Sequence, residues 1–167
     1  MKFPGAIVIS RAGHNASSIQ KKEDNKMEYS KFVPYQMKIT VIEVVSYEER
    51  TISGRVINPF YAEPMPFYGM IQLLSLIENV HTELNYPEPT MEMRHYGEQS
   101  IKMTLTPCLR TDIADKPAIA VFKVSLFFRQ NASWQGSIIW TEKDSVANFR
   151  SVLELIYLID ETLLSLT

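Results

Sequence analysis

The sequence predicts an α+β domain: a largely antiparallel sheet of about six strands with two helices on one face, built from a duplicated ββα unit. Three observations predict it. Apolar stretches suited to strands come in pairs split by short polar breaks. Each pair is followed by a segment with helical apolar spacing. The whole pattern recurs at a shift of 82 residues, which places Gly54 on Gly136, Phe67 on Phe149, Leu73 on Leu155 and Ile77 on Ile159 without a gap.

The chain has 167 residues, of which 46% are hydrophobic and 22% charged, enough apolar material for one core that needs neither metal nor disulfide. Cys108 is the single cysteine, so no internal disulfide forms and a reducing, cytoplasmic setting is expected. A formal net charge of -2 gives no overall basic field for nucleic acid. No apolar run reaches membrane-spanning length, and the apolar stretch over residues 3–10 is too short for an export signal, so no membrane association is expected.

Residues 1–31 carry six Lys/Arg against three Asp/Glu and almost no periodic apolar positions, which reads as a flexible polar arm. Residues 32–167 then form a single α+β domain, with repeat copy one at 37–85, a hairpin linker at 86–118 and repeat copy two at 119–167. In copy one, residues 40–47 and 52–58 flank the break Glu48-Glu49-Arg50, and Gly54 interrupts the returning strand. Pro66 suits the first turn of a helix that carries Phe67, Met70, Leu74, Ile77 and Leu84 and stops by Asn85, because Pro87 follows. In the linker, residues 91–96 and 100–106 alternate about Gly97-Glu98-Gln99, which predicts a third hairpin. Copy two repeats the scheme with strands at 120–128 and 134–141, the break Gln130-Asn131-Ala132, Gly136, and a helix capped around Ser145 or Asn148. That helix puts Val152, Leu155, Ile156, Ile159, Leu163 and Leu166 on one face and leaves Leu153, Tyr157 and Leu164 on others, more apolar surface than one sheet face takes up.

Catalytic signals are absent from the sequence. Glu78-Asn79-Val80-His81 has the i, i+3 spacing of di-iron ligands, but copy two places Asp160 and Leu163 there and supplies no second histidine. His81 therefore reads as a satisfied histidine at a packing edge, and no metal is expected. Cys108 has no neighbouring base, and there is no nucleophile elbow, phosphate-binding glycine loop or zinc-protease motif, so no catalytic residue and no cofactor is assigned. The candidate binding residues are Arg129, Asn131, Trp134, Trp140 and Arg150. Trp134 and Trp140 lie six residues apart on one strand and share a face. On the core side they pack against the helix. On the open side, with Arg129 and Lys123, they form a hot spot for a protein partner or a platform for stacked bases.

The string RQNASWQGSIIWTEK followed by NFRSVLELIYLID resembles a motif of small bacterial proteins of the anaerobic Gram-positive type, for which no activity is known. The resemblance spans residues 120–165, and copy one lacks the motif. It implies a bacterial cytoplasmic setting and nothing about chemistry.

The reading expected from the residues is a non-enzymatic binding or adaptor module that takes a protein partner or a second copy of itself as a homodimer. The first alternative is a small-molecule or nucleotide sensor, or a weak hydrolase, with a pocket between the two copies and Arg129, Arg150, Trp134 or His95 at its mouth. The second is single-stranded nucleic-acid binding by the Trp134/Trp140 face.

Overall fold

A computed structural model describes residues 32–91, 94 and 112–166. The expected polar arm and nearly all of the expected linker hairpin lie outside the described residues. Ten residues of dense β-branched and aromatic sequence form β1 (Ile39–Glu48), which turns into β2 (Thr51–Ile57), β3 (Met65–Tyr68) and α1 (Met70–Leu84). The second half repeats the order with β4 (Ala120–Phe128), β5 (Gln135–Trp140), β6 (Ser145–Phe149) and α2 (Val152–Leu164). All six strands join one antiparallel sheet in the order β3-β2-β1-β4-β5-β6. Among the described residues no helix is long and apolar enough to cross a membrane.

The fold is thus the expected α+β class, but two of its six strands differ from those expected. Residues 65–68 and 145–149, which the sequence assigns to helix starts, are the short edge strands β3 and β6. Pro66 misleads because proline suits both a first helical turn and an edge strand, where its missing N–H faces away from the neighbour. The helices start one residue after Gly69 and Ser151 instead.

Each half has three strands and a helix rather than the expected ββα order, and several backbone features recur 82 residues apart. Positive backbone φ occurs at Glu49 and Arg50 and again at Asn131 and Ala132, which lets each hairpin turn follow the right-handed strand twist. The β1–β2 ladder shifts between Val44 and Ser46, and the β4–β5 ladder between Leu126 and Phe128. Gly54 pairs with Phe67 and Gly136 with Phe149. A Cβ at Gly54 would collide with the Glu43 carbonyl and the Phe67 ring; at Gly136 it would collide with the Ser125 carbonyl and the Phe149 ring. Each glycine is therefore the residue that lets a phenylalanine lie across the strand. The pair Val41–Lys123, itself separated by the repeat distance, sits mid-ladder between β1 and β4.

One sheet face supplies Ile42, Val44, Val56, Phe122, Val124 and Ile138 to the core. Leu73, Leu76 and Ile77 of α1 and Leu155, Ile159 and Leu163 of α2 close over them. Both helices thus cover the same face, each through one apolar stripe. A smaller cluster of Val33, Val80 and Leu84, with Met37, Phe60, Tyr61, Met65 and Tyr86, closes the far end of the first half.

Candidate functional site

An antiparallel sheet of six strands has two edges, and unpaired edge groups invite another strand. Here the two edges are treated differently. Gly69 N–H donates to the Ile52 carbonyl at 2.7 Å, so residue 69 faces inward along β3, and by strand alternation residues 66 and 68 present their backbone outward. Pro66 has no N–H to offer, and Tyr68 N–H is capped by the Gln72 side chain at 2.7 Å. At the other edge the same geometry recurs: Arg150 N–H is capped by the Glu154 carboxylate at 2.7 Å, which sets residues 146 and 148 outward. Those residues are Val146 and Asn148, which keep their N–H groups. The edge strand β6 contains neither a proline nor a charged residue, and Val146 is 62% exposed.

The space beside each edge differs as well. In the first half, Asn58 is buried and its Nδ2 donates to the carbonyls of Met37 and Ile39 at 2.9 and 3.0 Å, tying down the segment that leads into β1. That segment, with Phe60 and Tyr61 from the β2–β3 loop, seals the end of α1, where Leu84 is 2% exposed. In the second half, β5 and β6 are joined by a short 3-10 turn (Thr141–Lys143) with Asp144 in the left-handed region. Among the described residues nothing equivalent covers the end of α2, and Leu166, in the position of Leu84, is 45% exposed. A cavity of about 290 Å³ opens there, floored by Phe122, Ile138 and Trp140 and flanked by Ala147, Leu158 and Glu161. A second hollow of about 490 Å³ adjoins it along β6, lined by Asn148, Tyr157, Leu158 and Glu161 with the Arg150–Glu154 pair. The two share Leu158 and Glu161 and form a groove between α2 and the open edge of β6.

The five sequence-predicted binding residues do not form one site. Trp134 is 5% exposed and belongs to the core, and Trp140 packs partly buried against the same core. Their common face is therefore the core side, which removes the open aromatic platform proposed for base stacking. Trp134 Nε1 donates to Glu78 at 2.8 Å, and Arg129, also 5% exposed, pairs with Glu78 at 3.1 Å and reaches Thr82 at 3.3 Å. This group ties α1 to the β4–β5 hairpin at a filled, buried position, where the alternative reading placed a pocket mouth. Asn131 is exposed in the hairpin turn with φ 54°. Arg150 is bound to Glu154 at 2.6 Å on the surface, beside the second hollow. Trp140 lines the cavity, with Lys143 Nζ 4.3 Å from its ring centre.

His81 is interior rather than at a packing edge, with 0% exposure. Its Nδ1 donates to the Tyr86 carbonyl at 2.7 Å, while Nε2 is buried without a partner. Burial pushes its pKa down to about 4, and the nearby Arg129 charge adds to the effect against the Tyr86 hydrogen bond.

The residues that sequence reasoning missed are Val146, Asn148 and Glu161. A signal for two of them was present: the repeat shift pairs Pro64 with Val146 and Pro66 with Asn148, so one edge carries prolines where the other does not. Comparison with protein-family models, with curated proteins and with solved structures finds no match.

Proposed function

We propose that this chain is a non-enzymatic protein-binding module that captures an extended segment of a partner as an additional strand on β6. The observation that carries the reading is the contrast between the edges: each has one N–H capped by a helix side chain, but β3 carries Pro66, with Pro64 just before it, where β6 keeps the outward N–H groups of Val146 and Asn148. The groove between β6 and α2 gives alternate side chains of such a segment somewhere to go. The common 82-residue register supports descent of both halves from one repeated unit, with the first half sealed by its own residues and the second left open. Pairing of two copies through β6 is the homotypic form of the same capture.

The test borrows the first half's own solution. Asn148→Pro removes one outward N–H at the position where β3 carries Pro66, and leaves the β5–β6 ladder its inward-facing groups. Random twelve-residue peptides displayed on phage are selected on the wild-type chain, and the winners are measured on both proteins. Loss of about tenfold or more in affinity, with unchanged melting temperature, is the expected result. Peptides that bind the proline variant equally well would refute strand capture. Sedimentation of both proteins identifies the homotypic form, as a dimer that the proline dissociates.

A further inference from the structure

We infer that the captured segment carries an aliphatic or aromatic side chain seated in the 290 Å³ cavity and, two residues along, a lysine or arginine that meets Glu161. This rests on the strand-capture reading and specifies its ligand.

The apolar requirement follows from what the first half supplies to itself. Position by position, Met65 becomes Ala147, Val80 becomes Thr162 and buried Leu84 becomes exposed Leu166. Among the described residues, the volume that Met65, Val33 and Phe60 fill beside α1 has no such occupant beside α2, and Phe122, Ile138 and Trp140 line the hollow there. A hydrophobic side chain placed there leaves water itself and covers the apolar surface that the partly buried Trp140, Ala147 and Leu158 still expose. In the first half the sealing group is a chain segment held by its carbonyls, so an extended peptide is the matching class of occupant.

The cationic requirement follows from charge. Glu161 lines both hollows and is exposed, and no ion pair engages it among the described residues. Glu142 and Asp144 stand in the turn leading into β6, and Lys143 between them is directed onto the Trp140 ring. The Arg150 guanidinium is already held by Glu154. The entrance is therefore acidic. Side chains two residues apart on a strand share a face, so one can enter each of the two hollows that adjoin at Leu158 and Glu161.

The probes are fluorescein-labelled threonine heptapeptides with leucine at the third and lysine at the fifth position, and versions with glutamate for the lysine or serine for the leucine. Fluorescence anisotropy with the full chain reads the affinities. Expected are about a tenfold loss for the glutamate peptide and a similar loss for the serine peptide. Glu161→Lys should reverse the charge preference, and Ala147→Met, which restores the first half's own filling, should abolish the preference for leucine. Binding that Asn148→Pro weakens but that ignores both peptide changes and Glu161→Lys overturns this specificity and leaves strand capture standing. Binding indifferent to Asn148→Pro overturns both. No anisotropy change with any peptide at about 1 mM also overturns the specificity, and the display selection then decides separately whether strand capture stands.

Discussion

His81 makes folding depend on pH in a calculable way. In the folded chain its pKa is lowered from 6.5 to about 4, chiefly by burial, with the Arg129 guanidinium nearby. The unfolded chain therefore binds more protons between these values, so the contribution is intact above about pH 6.5 and is lost as pH falls toward 4. Integrating over that difference gives a loss of about 2 kcal/mol between pH 7 and pH 5, a substantial part of a typical stability of 5–15 kcal/mol. Urea unfolding followed by far-UV circular dichroism should show the midpoint falling by roughly 1 M over that interval. Carboxylates also titrate there, and a variant separates the two. His81→Leu places at residue 81 the side chain that the second half uses at Leu163, which is 1% exposed. It removes the hydrogen bond to Tyr86 and the unpaired Nε2 together, so its stability at pH 7 should stay within about 1 kcal/mol of wild type. Its midpoint should then fall much less on acidification. Parallel pH curves for the two proteins would refute the assignment of a buried neutral His81.

Glu78→Ala leaves the Arg129 guanidinium buried without its carboxylate and Trp134 Nε1 without its acceptor, and should cost about 3 kcal/mol by chemical denaturation. The double variant Glu78→Ala/Arg129→Met should recover part of that loss, since it removes the stranded charge. Gly136→Ala should destabilise by about 1–3 kcal/mol or more through the clash with the Ser125 carbonyl and the Phe149 ring, and Gly54→Ala by a similar amount through Glu43 and Phe67. Equal effects at the two glycines are the signature of two equivalent strand crossings, and a neutral result at either would contradict the geometry there.

Much of this architecture was legible in the sequence because its strongest constraints are local or periodic. The two glycines, 82 residues apart, each admit a phenylalanine ring across the strand, and the polar breaks mark turns that demand positive φ. Short edge strands were not legible, since four or five residues give too little alternation to compete with a helix signal beginning two or three residues later. The Arg129–Glu78–Trp134 group was legible only as separate residues. Its members come from α1 and from the β4–β5 hairpin, and nothing local to either announces that they meet.

The side of the sheet on which the tryptophans lie illustrates how a repeat resolves what composition leaves open. Trp134 takes the place of Ile52 and Trp140 that of Asn58, and both of those first-half residues are buried. The tryptophans keep that placement, Trp134 buried and Trp140 partly buried against the same cluster, so the Trp face belongs to the core. Where register is kept but the covering residues are not, the scaffold exposes what its counterpart buries. Leu84 against Leu166, Met65 against Ala147 and Pro66 against Asn148 are the pairs in which the two halves part, and they support the proposed capture of a strand on β6.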